Sequence, residues 1–264
     1  MKDSKIAWTD HTFNHVWGCT KVSPGCKNCY AATFSKRTGH DIWGPDKPRR
    51  FFGEKHWREP LKWNAETQKE GIRRRVFCAS MADVFETHQN LEIEQDLNGA
   101  RNMLGHLIMS TPWLDWLLLT KRPENALVYL TMMFPVMENF PENLWIGTTA
   151  ENQEMANKRI PLLLDIPVKA HFLSVEPMLE KISLAEVNQT LRGHTLSDGI
   201  DWLIVGGESG PGCRPFNPDW ARSLRDECRE AGIKFFMKQL GGVHDHRDQL
   251  ENLPEDLQIR EVPA

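Results

Sequence analysis

Three cysteines near the N-terminus have the spacing of a metal-binding loop. Cys19, Cys26 and Cys29 follow the pattern C-x6-C-x2-C. Thiolates are soft ligands that select zinc or iron–sulfur centres. A structural zinc ion would need a fourth ligand, which His11 or His15 can supply, whereas three cysteines alone suit a four-iron cluster with one iron open to a small molecule. The loop predicts a metal centre, and both metals remain open at this point.

The other three cysteines are isolated along the chain. Cys78 lies in a predicted strand and Cys228 on the apolar face of a predicted helix, so both are expected in the core. Cys213 follows a strand end and can reach the same face as the loop. Six cysteines in 264 residues are too few for a disulfide scaffold.

The elements that position these residues are short apolar runs alternating with helical patterns. Continuous runs without polar alternation are typical of strands buried on both faces of a parallel sheet. The runs cover 76–79, 116–119, 144–147, 171–173, 202–205 and 234–237, with an earlier strand expected at 13–17. Helices are expected around 91–108 and from Pro218, with Asn217 as N-cap and Gly232 as the stop. Six or seven strand–helix units predict an α/β fold, a complete or partial (β/α) barrel.

The length and composition fit a single domain over residues 1–264. An irregular insertion is expected at about 44–75 and an irregular C-terminal tail from about 241. No apolar stretch is long enough to cross a membrane and no secretory signal is recognisable, so the expected location is the cytoplasm. The formal net charge of -4 provides no global attraction to nucleic acid, and any polyanion site must be local.

Polar residues and glycines follow the predicted strands. In (β/α) barrels these positions converge on one face, where chemistry is placed. The candidate binding residues are Ser80, Asp83, Thr120, Lys121, Thr148, Asn152, Ser174, Glu176, Gly206, Gly207, Glu208 and Lys238.

The cysteine loop, placed after the first strand of such a fold, resembles the cluster loop of radical S-adenosylmethionine (SAM) enzymes. More closely, the chain resembles a phage and bacterial three-cysteine-motif family, distantly related to radical SAM enzymes, over nearly its whole length. The segments that carry this resemblance are 6–10 with the cysteine loop, 80–85, 118–123, 172–177, 205–211 and 236–239. The sequence departs from the usual radical SAM pattern in its six-residue first spacing and in Asn28, which stands where an aromatic residue is common.

The resemblance implies a 4Fe-4S cluster on Cys19, Cys26 and Cys29, with SAM as the second cofactor. It implies radical chemistry through a 5'-deoxyadenosyl radical and an electron donor such as flavodoxin or ferredoxin. The SAM carboxylate requires cations, its ammonium requires carboxylates and its ribose requires hydrogen-bonding groups. The suitable side chains are Lys121 or Lys238 for the carboxylate, Glu176 or Glu208 for the ammonium, and Ser174, Thr148 or Asn152 for the ribose. Gly206-Gly207-Glu208 resembles the glycine-glycine-glutamate element of radical SAM enzymes but follows a late strand, and Ser80 to Asp83 occupies the corresponding place after strand two.

One segment is locally basic. Residues 46–75 carry ten Lys or Arg against five Asp or Glu, interleaved with aromatic residues. This mixture lets bases stack while phosphates pair with cations. Arg49, Arg50 and Lys55 are expected to contact phosphates, and Trp57 is expected to stack on a base. The segment predicts nucleic acid, or a nucleotide-derived molecule, as substrate, unless it is a connector packed on the barrel.

Two other functions use the same cysteines. The first is a zinc-stabilised, non-catalytic nucleic-acid-binding protein with His11 or His15 as fourth ligand. The second is a cluster-binding redox sensor that does not cleave SAM. Colour separates zinc from iron–sulfur, since only the latter is brown.

Overall fold

The protein is an α/β structure built on parallel strands. The computed structural model describes residues 1–191, 193–243 and 249–263. Within these ranges one sheet contains seven strands hydrogen-bonded in sequential order. They are β1 His11–Thr12, β2 Arg74–Cys78, β3 Leu114–Thr120, β4 Leu144–Thr149, β5 Ala170–Val175, β6 Trp202–Gly206 and β7 Lys234–Gln239. The registers of β1–β2, β2–β3, β5–β6 and β6–β7 are parallel. This sequential order, with β1 and β7 at its ends, is that of a partial (β/α) barrel.

The six apolar runs are confirmed as strands to within two residues at each end, but the prediction for the first strand is wrong. The expected strand at 13–17 is replaced by His11–Thr12. Phe13 still donates its backbone N–H to the Phe77 carbonyl, at 3.0 Å, and then the pairing with β2 ends. Trp17 instead exchanges two backbone hydrogen bonds of 2.9 Å with Arg50, in an antiparallel bridge. Because Arg50 is distant from Trp17 in the sequence, the apolar pattern does not reveal this pairing.

Helices connect the strands as crossovers. Within the described residues they are α1 Tyr30–Arg37, α2 Glu54–Trp57, α3 Glu59–Glu70, α4 Leu91–Met109, α5 Pro123–Met133, α6 Gln153–Leu164, α7 Leu184–Asn188, α8 Leu196–Gly199 and α9 Pro218–Ala231. Both predicted helices are confirmed as α4 and α9. The Asn217 side chain accepts from the Asp219 N–H at 2.9 Å, and Gly232 ends α9 with φ +73°.

The insertion is more regular than expected. Residues 54–70 are almost entirely helical in α2 and α3, and Trp57 and Trp63 are buried. Trp63 and Thr67, four residues apart, place a buried stripe on one face of α3. Pro60 stands in the first turn and Gly71, at φ +68°, ends the helix.

The chain divides into two compact units. The first comprises Met1–Val22, Ala31–Ile146 and Pro167–Lys169. Its core contains Phe13 and Trp116, fully buried and packed edge to face at 5.6 Å between ring centroids. A pair of this geometry contributes about 0.5–1.5 kcal/mol beyond the area it buries.

The second unit comprises Ser23–Tyr30, Gly147–Ile166 and Ala170–Ala264. Its core contains Trp202, which packs edge to face on Phe236 at 5.7 Å. The tail beyond 241 is attached here, because the Met237 N–H donates to the Ile259 carbonyl at 2.8 Å. Two short 3-10 turns, Leu250–Asn252 and Glu255–Leu257, precede this contact.

Across the described ranges, no helix combines the length and the hydropathy that crossing a bilayer requires.

Candidate functional site

Cys19 lies in the first unit beside a buried arginine. The Arg122 guanidinium donates from Nη1 to the Cys19 sulfur at 3.7 Å and from Nη2 to the Thr20 carbonyl at 2.7 Å. Burial and the carboxylate of Glu86 raise the pKa of the Cys19 thiol to about 12, while Arg122 acts in the opposite direction. Without a metal the thiol is therefore protonated at neutral pH.

Two carboxylates hold Arg122 in this position. Asp83 accepts from Arg122 Nη1 at 3.0 Å, and Glu86 lies 3.6 Å from Nη2. Asp83 also accepts from the Thr120 hydroxyl at 2.7 Å and from the Lys121 backbone N–H at 3.0 Å. These bonds, together with the charge of Arg122, keep the pKa of Asp83 below its ordinary value despite its burial. Asp83 is ionised and fully engaged in positioning Arg122.

A second buried pair supports the same loop. Arg49 and Glu86 are both essentially inaccessible and form a bidentate contact of 3.0 and 2.9 Å. Arg49 also donates to the Thr20 hydroxyl at 3.1 Å. Thr20, the residue after Cys19, is therefore held by two buried guanidinium groups. Arg49 donates to its hydroxyl and Arg122 donates to its carbonyl.

In the second unit, the loop that carries Cys26 and Cys29 is fixed to a buried carboxylate. The Gly25 N–H donates to Glu151 Oε1 at 2.9 Å, and the other oxygen of Glu151 pairs with Arg159 at 2.8 Å. Both charged side chains are buried. A Cβ on Gly25 would lie 2.9 Å from the carboxyl carbon of Glu151, so this close approach requires glycine.

The other side of the loop is fixed by Glu208. The Asn28 amide donates to Glu208 Oε2 at 2.9 Å and to the Gly212 carbonyl at 2.8 Å. Arg214 donates to both oxygens of Glu208 and, from Nη1, to the Pro24 carbonyl at 2.9 Å. Asn28, the residue that departs from the radical SAM pattern, thus connects the cysteine loop to the loop after β6.

Replacing Gly25 by Ala should strain the loop against Glu151. Because Glu151 is buried and paired with Arg159, it cannot withdraw cheaply, and we expect the free energy of unfolding to fall by about 1–3 kcal/mol. Urea denaturation measures this loss. Gly53→Ala is the matched control, since a Cβ there meets nothing within 4 Å and should change stability by less than about 0.5 kcal/mol. Equal effects of the two substitutions would contradict the close approach.

The Glu208 contacts predict a pH dependence of stability. Although burial opposes ionisation, hydrogen bonds from Arg214 and Asn28 lower the pKa of Glu208 from 4.5 to about 2. A depressed pKa gives stability that is present above the unfolded-state value and is lost as pH falls toward the folded-state value. Glu208→Gln should therefore cost on the order of 2 kcal/mol at pH 7, a difference that shrinks as the pH approaches 2. Urea titrations of both proteins at neutral and acidic pH measure it, and a cost that does not depend on pH would contradict it.

The remaining predicted residues of the first unit lie at the C-terminal ends of β2 and β3 or just beyond them. Ser80 exchanges hydrogen bonds with the Asn14 side chain at 3.2 and 3.4 Å. Thr120 is buried and accepts from the Arg122 N–H at 2.8 Å, whereas Lys121 is half-buried. Of this group, Lys121 is the one cationic residue, and it is not fully buried.

The predicted binding residues of the second unit differ in their exposure to solvent. Thr148 and Ser174 are buried, and Asn152 caps α6 by accepting from the Met155 N–H at 2.9 Å. Glu176 and Lys238, at the ends of β5 and β7, form a half-buried ion pair.

Two glycines, one at the end of β6 and one just after it, allow close packing. A Cβ on Gly206 would lie 3.2 Å from the Glu176 carboxyl carbon, and one on Gly207 only 2.2 Å from the Leu240 carbonyl.

The structure does not present an assembled metal site. Among the described residues, no group of three or more His, Cys, Asp or Glu side chains is arranged to hold a metal ion. Cys19, Cys26 and Cys29 form no disulfide and none of the three residues is fully buried, so the chemistry of the donors fits iron–sulfur ligation. The shared ligation stays a prediction from their spacing.

The two histidines considered as zinc ligands are buried in the first unit. His11 accepts from the Asp3 N–H at 3.2 Å and packs on the Trp63 ring. His15 has no hydrogen-bond partner at either ring nitrogen among the described residues. Burial, and then the charge of Arg101, lowers the pKa of His15 to about 3, so the ring is neutral.

The basic segment is not uniformly available to a ligand. The expectation that Arg49 contacts phosphate is wrong, because its side chain is buried against Glu86. Trp57 and Trp63 are core residues and offer no face to a base. Arg50 and Lys55 remain accessible.

Sequence reasoning did not assign a role to several residues that form the site. Arg122 and Glu151 stand at predicted strand ends, which places them on the candidate face but does not reveal their buried partners. Arg214 had only its place in a glycine-rich loop as a signal. Glu86 had no signal, because its partner Arg49 lies 37 positions away.

The fold is similar to that of spore photoproduct lyase. A variant of spore photoproduct lyase superposes with a TM-score of 0.53 at 13% identity, covering 87% of this chain and 64% of that chain. A second variant gives 0.54 at 12%, covering 92% and 78%. A third, described with bound AdoMet and dinucleoside spore photoproduct, gives 0.50 at 13%, covering 87% and 64%. The likeness confirms the predicted radical SAM-like α/β fold, and this chain spans about 64% of the length of the first lyase chain.

The family is shown by sequence. The family described as "Protein of unknown function (DUF5131)" matches residues 3–260, and the chain belongs to it. No curated protein sequence gives a significant match. The association with phage three-cysteine proteins stays a prediction.

Proposed function

We propose that this protein is an iron–sulfur enzyme of the radical SAM type. The observation that carries the proposal is a loop after β1 with three cysteines that form no disulfide and are not fully buried, in a fold shared with a lyase structure described with bound AdoMet. Cys19, Cys26 and Cys29 would hold a 4Fe-4S cluster. When bound, that cluster supplies one electron for cleavage of SAM.

The chain's own contribution begins with the placement of the thiols. Arg122 keeps a positive charge beside Cys19, supported by Asp83 and Glu86. Glu151 and Glu208 hold the segment that carries Cys26 and Cys29. Buried, fully hydrogen-bonded supports of this kind restrict a ligand loop to one conformation.

We assign the amino-acid part of SAM to Lys238 and Glu176. A zwitterion presents one carboxylate and one ammonium, and this half-buried Lys–Glu pair can exchange its internal contact for the two external ones. Glu208 is already saturated by Arg214 and Asn28, so we give it a positioning role. Lys121 is the alternative cation, and Thr148, Asn152 and Ser174 remain candidates for the ribose.

Nucleic acid is the substrate class that we favour, since a neighbour in fold is described with a dinucleoside photoproduct. An electron donor such as flavodoxin or ferredoxin completes the proposed system.

Anaerobic reconstitution with iron and sulfide tests the proposal. The protein should turn brown, bind SAM by calorimetry and release 5'-deoxyadenosine when reduced with dithionite. Glu176→Gln should weaken SAM binding while iron content stays unchanged. A loaded cluster without SAM binding would overturn the enzyme proposal in favour of a redox sensor. A colourless protein containing stoichiometric zinc would establish the zinc-stabilised alternative.

A further inference from the structure

The first unit, which contains Cys19, carries a partly exposed cluster of aromatic rings. Trp17 lies at its centre, with ring centroids 6.0 Å from Phe34, 5.8 Å from His40 and 5.8 Å from Phe52. None of the four is buried, and Phe34 is 37% exposed. We call Trp17, Phe34, His40, Phe52 and the adjoining Arg50 the Trp17 cluster. Rings in the core of the same unit, such as Phe13, are by contrast inaccessible.

Arg50 gives this cluster a positive charge for which the described residues supply no ion-pair partner. Its guanidinium lies 4.5 Å from the Trp17 centroid and 5.3 Å from the Phe52 centroid. Among the described residues, no carboxylate lies within ion-pair distance of it, whereas the neighbouring Arg49 is buried against Glu86. Successive side chains of an extended segment point to opposite sides. The two arginines therefore have different tasks, one structural and one available to a ligand.

The cluster is close to the first cysteine along the chain, because Trp17 precedes Cys19 by two positions. Trp17 and Arg50 are paired through backbone hydrogen bonds in both directions, and the Gly44 N–H donates to the Cys19 carbonyl at 3.0 Å. A ligand on the Trp17 rings would thus lie next to the segment that presents Cys19.

We propose that the Trp17 cluster binds an unpaired nucleotide of a single-stranded nucleic acid, the base on the accessible rings and the phosphate on Arg50. Aromatic rings combined with an unneutralised guanidinium match the two halves of a nucleotide. The faces of paired bases are covered by their neighbours in a duplex, so the surface favours single strands. This inference rests on the proposed function, whose substrate class it names.

Fluorescence anisotropy with a labelled single-stranded oligodeoxynucleotide, its RNA counterpart and the DNA duplex tests the inference on the full-length protein. Binding to single strands should exceed binding to the duplex and weaken steeply with salt. Phe34→Ala, which removes the most exposed ring without emptying the core, should reduce single-strand affinity roughly 5- to 150-fold. Phe52→Ala should act in the same direction.

Substitutions of Arg50 distinguish the contribution of its charge to binding from that of ring stacking. Arg50→Ala should weaken binding and lower the salt slope by about one unit, whereas Arg50→Lys should keep the slope. Phe140→Ala and Arg229→Ala are the matched controls, an aromatic residue and a 72% exposed arginine outside the cluster, and they should leave affinity unchanged. Circular dichroism verifies that each variant is folded.

The outcomes separate this inference from the proposed function. Absence of single-strand binding at low salt, equal binding of duplex, or affinity indifferent to Phe34, Phe52 and Arg50 would overturn the inference even if iron and SAM bind. Oligonucleotide binding that depends on the cluster, in a protein that takes up no iron, would instead uphold the inference and overturn the enzyme proposal. Preference for RNA over DNA would uphold it and identify the sugar.

Discussion

Replacing any one of Cys19, Cys26 and Cys29 by Ala is expected to reduce the iron content of the reconstituted protein from about four atoms to near zero. Each thiolate is a required ligand in the proposed three-cysteine cluster. Iron and acid-labile sulfide analysis after anaerobic reconstitution measures the loss, together with disappearance of the brown colour.

Two other cysteines provide the controls for this series. Cys228 is buried on the core face of α9, and Cys228→Ala should retain full iron while losing about 1 kcal/mol of stability. Cys213 is partly accessible, and Cys213→Ala tests whether a cysteine outside the loop contributes. Iron content in Cys26→Ala equal to that of the unchanged protein would refute the assignment.

The second large effect concerns stability. Arg49→Ala should lower the free energy of unfolding by about 3–5 kcal/mol, because it leaves the buried Glu86 carboxylate without its main partner. Both side chains are at most 1% exposed, so water cannot replace the lost contacts. Chemical denaturation followed by tryptophan fluorescence measures the change.

Arg58→Ala is the matched control for that substitution. Arg58 pairs with Glu54 at the surface, where such pairs contribute about 0–1 kcal/mol. Replacing Arg49 and Glu86 together by Met should recover part of the loss, since no unpaired charge is then buried. A cost for Arg49→Ala no larger than that for Arg58→Ala would show that the pair does not support the fold.

The sequence alone determined most strands of the sheet and two of its helices, and it predicted the chemistry of the cysteine loop. Strands buried on both faces are encoded locally as continuous apolar runs, and α9 by its cap, its apolar spacing and its terminal glycine, so these were predictable. The spacing of Cys19, Cys26 and Cys29 is likewise a local property, and it predicts soft-metal chemistry.

Tertiary structure decided which charged residues are available for function. Arg49 and Arg50 are adjacent and chemically identical, yet one is buried against Glu86 and the other lies on an accessible tryptophan. Glu208 matched a binding motif but is saturated by Arg214 and Asn28, the latter 180 positions away. An ion pair between distant positions leaves no periodic signal in a sequence, because it depends on where the chain returns to itself and not on the pattern of neighbours. The types of residue that could bind a ligand are therefore visible in the sequence. Packing in the folded protein decides which of those residues are accessible to a ligand and which are used to support the fold.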